Sequence, residues 1–116
     1  MYNFIDKYGY GTPYTNIHPF KQKAVKHMLD NKPPSIQVVI IFGSSVLPSC
    51  KDYSDIDVCL IGDFEEFNLS DITVEGQAYD FVKYETVEEL QEKAKLNGNG
   101  IDRDIYNKGV VVYNAS

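Results

Sequence analysis

Two aspartates stand one residue apart in the segment Asp55-Ile56-Asp57-Val58, which continues into the apolar run Cys59-Leu60-Ile61. Because side chains alternate across a β-strand, Asp55 and Asp57 are predicted to share one face of a strand, about 7 Å apart. Ionised carboxylates this close raise each other's pKa unless a positive charge lies nearby. Mg²⁺ prefers oxygen ligands and usually takes one or two protein carboxylates. The pair therefore predicts a magnesium site.

A glycine-serine turn precedes these aspartates and supplies a complementary binding element. Gly43-Ser44-Ser45 directly follows a β-branched, apolar segment, Ile36–Phe42, that is typical of a buried central strand. A glycine lets the backbone approach a phosphate closely, and the free amides of a following helix start face it. Gly43, Ser44 and Ser45 are therefore predicted to bind a phosphate group, and Ser44 or Ser45 to be the N-cap of a short helix.

A third carboxylate, Asp80, stands in the otherwise apolar segment Tyr79-Asp80-Phe81-Val82. An unpaired carboxylate in such a strand would be costly to bury. If this strand lies beside that of Asp55, Asp80 completes a carboxylate triad and either binds a second metal ion or accepts a proton from an attacking hydroxyl.

Each feature also has a simpler explanation. The alternating aspartates would also suit the solvent-exposed face of an antiparallel strand. Gly-Ser is common in ordinary turns, and a single aspartate in a strand often lies at the edge of a sheet. The order and spacing of the three features together favour a site. Four other aspartates fall in loop-like stretches and are interpreted as solvated: Asp63, Asp71, Asp102 and Asp104.

The remaining elements must position these residues. Residues 1–16 are predicted to form an irregular, tyrosine-rich arm, and a helix is predicted from Ile17 to just before Pro33, with Phe20 on its apolar face and its lysines (Lys21, Lys23, Lys26 and Lys32) on a solvated one. Segments 72–75 and 78–84 are predicted to form a hairpin around Gly76-Gln77. Thr86 and Glu89 form a capping box that starts a second helix. One or two helical turns over 101–107 and a strand over 110–113 follow.

Composition limits the possible functions. The 116 residues fit one domain, 1–116, and 43% apolar residues suffice for a folded core. Seventeen acidic residues against eleven basic ones give a net charge of −6, which argues against bulk binding of nucleic acid. No apolar run approaches the ~20 residues of a membrane span, so a soluble, cytoplasmic protein is expected. Cys50 and Cys59 are predicted to be reduced structural thiols, with a disulfide or a regulatory thiol as alternatives.

The motif Phe42-Gly43-Ser44, ten residues, Ser54-Asp55-Ile56-Asp57, and then Asp80 between hydrophobic residues resembles the signature of the DNA polymerase β-like nucleotidyltransferases. The short chain is similar to the minimal nucleotidyltransferases of that superfamily. The resemblance implies an α+β fold, a mixed β-sheet flanked by helices like the polymerase β palm. It implies two Mg²⁺ ions and transfer of a nucleoside monophosphate from an NTP to a hydroxyl, with release of pyrophosphate.

Carried onto this chain, the resemblance assigns contact with the triphosphate to Gly43 and Ser44. It assigns metal binding to Asp55 and Asp57, and catalytic-metal binding and acceptor activation to Asp80. Minimal members often act beside a helical HEPN-domain partner in toxin–antitoxin pairs. A chain this short is expected to borrow its acceptor pocket from such a partner or from a second copy of itself.

Two functions from different classes remain open at this stage. One is a Mg²⁺-dependent nucleotidyltransferase that modifies a protein partner, which the three aspartates favour. The other is a binding module that keeps the fold and neutralises its partner by contact alone. Many relatives place an arginine or lysine soon after Gly-Ser, whereas this chain has no basic residue between Ser44 and Lys51, which favours the second.

Overall fold

A four-stranded mixed sheet forms the centre of the protein. The computed structural model describes residues 17–64, 67–96 and 100–115, so the predicted arm over 1–16 lies outside the described residues. The sheet order is β3-β2-β1-β4, in which β1 pairs antiparallel with β2 and β4, and β2 pairs parallel with β3. In chain order the elements are α1 (Pro19–Asn31), β1 (Ile36–Phe42), β2 (Ile56–Gly62), β3 (Tyr79–Tyr84), α2 (Val87–Leu96), α3 (Ile101–Lys108) and β4 (Val110–Asn114).

The sheet is apolar on both faces because helices cover both. On one face, Val25 and Met28 of α1 pack with Val39 and Ile41 of β1. On the other face, Leu90 of α2 and Ile105 of α3 pack with alternate strand residues, which are Val38, Ile40, Phe42, Cys59, Ile61, Tyr84 and Val111. The two clusters explain why β1 and β2 are nearly continuous hydrophobic runs. The predicted α+β fold, a mixed sheet flanked by helices, is confirmed.

The ends of the helices follow the sequence signals closely. His18 is the N-cap of α1 and accepts a hydrogen bond from the Phe20 amide, and α1 ends before Pro33-Pro34 as predicted. At α2, Thr86 Oγ1 accepts from the Glu89 amide at 3.1 Å, and Glu89 Oε1 accepts from the Glu85 amide at 2.7 Å. The capping box is therefore present, with its return bond shifted by one residue.

The predicted hairpin over 72–84 is wrong. Residues Leu69–Ile72 form a short 3₁₀ helix capped by Asn68, and the buried Ile72 joins the core on the α1 side of the sheet. The turn at Gly76 is real, with φ +88, but it leads from this connection into β3. The partner of β3 is β2, and a parallel pair requires a long crossover, here residues 63–78.

The assignment of the α1 faces is also wrong at two positions. Lys21 is completely buried, whereas the neighbouring Phe20 is 56% exposed. Lys21 continues the helical spacing of Ile17, Ala24 and Met28, so its position belongs to the apolar stripe although its residue type does not. Its ammonium group donates hydrogen bonds to two oxygen atoms, which reduces the cost of burying the charge.

Two smaller predictions concern the turn after β1 and the cysteines. Gly43–Val46 forms a single 3₁₀ turn whose N-cap is Phe42, without a side-chain cap, so the prediction of Ser44 or Ser45 as the cap is wrong. Cys50 and Cys59 are both buried and free, as predicted, and burial raises the pKa of the Cys59 thiol to about 12.

Within the described ranges, none of the helices combines the length and the apolar character that crossing a lipid bilayer requires.

Gly109 allows α3 to pack directly against β1. A Cβ at this position would overlap Ile40 Cγ2 and lie 2.5 Å from the Ile105 carbonyl oxygen. We expect Gly109→Ala to lower the free energy of unfolding by about 3 kcal/mol, because backbone and a core side chain must both move. Gly76→Ala, where φ is positive but no atom lies within 4 Å, should cost about 1 kcal/mol. Urea unfolding measures both, and an equal loss would contradict this account.

Candidate active site

Asp57 lies at the centre of the candidate site. It is the second residue of β2, where it pairs across the ladder with Phe42 of β1 on one side and with Asp80 of β3 on the other. Asp57 and Asp80 alternate with the residues that pack toward α1, so both lie on the sheet face covered by α2 and α3. The conditional prediction that β3 lies beside the Asp55 strand is confirmed.

The turn after β1 lies directly against Asp57. Gly43 has a φ of +71, a conformation that L side chains rarely adopt, and a Cβ there would overlap Asp57 Oδ2 and lie 3.1 Å from its Cγ. Only glycine therefore fits between β1 and this carboxylate. Ser44 is partly exposed beside it, whereas Ser45 is completely buried and its hydroxyl has no hydrogen-bond partner among the described residues.

The other two predicted acids are more open to solvent. Asp55 immediately precedes β2 and Asp80 is the second residue of β3, and both are exposed, whereas Asp57 is partly buried. Asp80 escapes the cost of burial because β3 is an edge strand, in which Tyr84 alone among its six residues is buried. Exposure removes the desolvation cost and leaves Asp80 accessible to a substrate.

The charges around Asp57 are unbalanced. Burial raises the pKa of the Asp57 carboxyl, and the negative charges of Asp80, Asp55 and Asp104 raise it further, in that order. Asp55 and Asp80 therefore both lie within electrostatic range of Asp57. A cation bound among them would reverse the effect.

The donor set suits a hard divalent cation. All the candidate ligands are carboxylate oxygens, which Mg²⁺ prefers, and their mutual repulsion is the kind that such an ion relieves. Among residues 17–64, 67–96 and 100–115, no three His, Cys, Asp or Glu side chains are gathered closely enough to hold a metal ion by themselves. Magnesium at this site would therefore need further ligands from water and from the phosphates of a substrate.

Asp104 is a fourth acid that the sequence interpretation missed. It was predicted to be a solvated loop residue, but Asp102 and Asp104 lie in the first turn of α3, where Tyr84 Oη donates to Asp102 Oδ1. Lys108 Nζ lies 3.7 Å from Asp104 Oδ1 in an exposed pair. The helical pattern over 101–107 is visible in the sequence, but the packing of α3 against β1 depends on tertiary contacts.

Comparison with known proteins is consistent with this geometry. The family model described as "Nucleotidyltransferase domain" matches residues 21–109, which include Gly43, Asp55, Asp57 and Asp80. This match spans well over half of the chain. The chain therefore belongs to the nucleotidyltransferase domain family, and the predicted membership is confirmed.

Among solved structures, the chain is similar to a protein described as a putative nucleotidyltransferase from Sulfolobus solfataricus. The two share 19% sequence identity with a TM-score of 0.43, and the match covers 88% of this chain and 84% of that one. No curated protein sequence matches the chain significantly.

The raised pKa of Asp57 has a consequence for stability. The folded state binds the Asp57 proton more tightly than the unfolded state, in which the ordinary value of 3.8 applies. Ionisation of Asp57 therefore destabilises the fold: the penalty is absent below pH 3.8 and complete above the raised folded pKa. We expect Asp57→Asn to raise the free energy of unfolding at pH 7 in metal-free buffer, and the gain to disappear near pH 3. Chemical denaturation across this pH range is the measurement.

Asp71→Asn is the matched control, since Asp71 is exposed and lies outside the cluster. It should change stability by less than about 0.5 kcal/mol at either pH. If Asp57→Asn were destabilising at pH 7, the carboxylate would have a stabilising partner, and the unbalanced charge inferred around it would be disproved.

Proposed function

We propose that this protein transfers a nucleoside monophosphate from an NTP to a hydroxyl group, with Mg²⁺ as its cofactor. The observation that carries the proposal is the meeting of Gly43, Asp57 and Asp80 at one end of the sheet, where the turn and the two carboxylates are adjacent. Membership of the nucleotidyltransferase domain family supports the same activity.

The residues divide into a phosphate side and a carboxylate side. The Gly43-Ser44 turn provides the exposed backbone and hydroxyl that would contact the triphosphate. Ser45, also predicted to bind nucleotide, has its side chain buried, so we assign it a supporting role in the turn. Asp55, Asp57 and Asp80 would hold up to two Mg²⁺ ions together with phosphate oxygens. When bound, these ions neutralise phosphate charge and lower the pKa of the attacking hydroxyl.

The reaction forms one bond and breaks another. The acceptor oxygen attacks the α-phosphorus of the NTP, and the bond from that phosphorus to the bridging oxygen breaks, so that pyrophosphate leaves. We assign the acceptor proton to Asp80, because its exposure on the edge strand β3 leaves it accessible to an acceptor.

The open position of Asp55 and Asp80 favours a large acceptor. Both carboxylates are exposed, and the neighbouring Tyr53 is 85% exposed. A macromolecule can therefore reach the site without entering a deep cleft. We propose a hydroxyl side chain of a protein as the acceptor, on a HEPN-domain partner or a second copy of this chain, with the reaction taking place in the cytoplasm.

The activity can be tested by incubating the protein with labelled ATP, CTP, GTP or UTP, Mg²⁺ and either a cell lysate or a candidate HEPN-domain protein. We expect label on the partner, and a loss of about 100-fold or more for each of Asp55→Asn, Asp57→Asn and Asp80→Asn. Asp71→Asn should transfer label at the wild-type rate. Equal rates for wild type and the three site variants would contradict the proposal.

A second candidate function is a module that binds its partner without catalysis. Two observations favour it: no basic residue lies between Ser44 and Lys51, and the described acids do not form a ready-made metal ligand set. The candidates differ in the behaviour of the Asp55→Asn/Asp57→Asn double variant.

If contact alone is the function, wild type should transfer no label, and the double variant should bind and neutralise the partner as well as wild type does. Calorimetric titration of the partner measures the affinity. If the protein is an enzyme, the double variant should still bind the partner but should no longer neutralise the partner's activity.

A further inference from the structure

Lys21 is a buried lysine whose partners all lie near the candidate site. Its side chain is completely buried, and its Nζ donates to the Asp52 carbonyl oxygen at 2.8 Å and to Gln77 Oε1 at 3.0 Å. In the described part of the chain, Lys21 makes no ion pair with a carboxylate. Burying an ammonium group this way is costly, and the partners are separated from it by 31 and 56 residues.

Gln77 extends the connection to both loops that enter the site. Its Nε2 donates to the Ser54 carbonyl oxygen at 3.0 Å and to the Ala78 carbonyl oxygen at 2.8 Å. The same Ala78 oxygen accepts the Ile56 amide at 3.0 Å. One side chain thus bonds to the residue before Asp55 and to the start of the strand that carries Asp80.

We propose that Lys21 and Gln77 are positioning residues that fasten these two loops to α1 and so hold Asp55 and Asp80 beside Asp57. We call this set of bonds the Lys21–Gln77 clamp. The role of the clamp in catalysis rests on the proposed function. Its effect on the order of the two loops does not. Asp55 and Asp80 are exposed, and Gln77 bonds to the carbonyl oxygens of Ser54 and Ala78, one and two residues before them.

Loss of the clamp should affect only the two loops, whereas loss of an ordinary core contact would destabilise the whole fold. The core on either face of the sheet does not depend on it, because α1 also packs through Val25 and Met28. Removing Nζ takes the donor away from the Asp52 carbonyl oxygen and from Gln77 Oε1, which both lie in these loops. The expected result is local loosening of segments 51–56 and 76–80, with the β1–β4 ladder unchanged.

Amide hydrogen exchange on Lys21→Met tests this directly. Met keeps most of the side-chain volume and removes the donor. We expect the Ser54 and Ile56 amides, which bond to Lys51 and Ala78, to exchange at least about tenfold faster than in wild type. Amides in β1 and β4 should exchange at unchanged rates.

Lys23→Met is the matched control on the exposed side of the same helix and should leave all of these rates unchanged. If Lys21→Met does not fold, Gln77→Leu offers the same measurement, because Gln77 is only partly buried. Uniformly faster exchange across the sheet, or no change at Ser54 and Ile56, would overturn the clamp.

Magnesium titration then separates the clamp from the proposed function. With the metal alone, monitored by calorimetry, we expect Lys21→Met to bind Mg²⁺ about tenfold more weakly than wild type, as when a supporting residue of a metal site is lost. Equal affinity would overturn the positioning role. If wild type binds no Mg²⁺ and transfers no label, the proposed function fails, while the exchange experiment still decides whether the clamp exists.

Discussion

The central physical constraint in this structure is the crowding of negative charge around a partly buried carboxylate. Asp57 is flanked by Asp80 in the ladder, lies near Asp55 and Asp104, and has the carboxyl whose pKa burial and these neighbours raise. Such an arrangement weakens the metal-free fold. The proposed cofactor explains why the chain would keep it, since binding energy offsets the repulsion only when the ion and phosphate are present.

Parallel pairing of β2 with β3 makes this crowding possible. In a parallel pair, both strands enter the sheet at the same end, so acids near their starts are brought together. An antiparallel hairpin over 72–84 would have satisfied the local turn signal at Gly76 equally well. Long-range packing decides between the two, because Ile72 lies in a 3₁₀ helix and its side chain is buried in the core.

Much of the fold and of the site could be predicted from the sequence, because the relevant signals are local. The strand Ile36–Phe42 is an unbroken apolar run, Asp55-x-Asp57 follows the two-residue alternation of a strand, and Thr86 and Glu89 mark a helix start. Other features depend on contacts between distant segments. The burial of Lys21 and the approach of Asp104 to Asp57 have no local signature strong enough to outweigh residue type.

The close fit between Gly43 and Asp57 makes the two halves of the site depend on each other. Position 43 accepts no side chain without displacing the Asp57 carboxylate. A single nucleotide change that introduces any Cβ there would disturb the turn after β1 and the acid together.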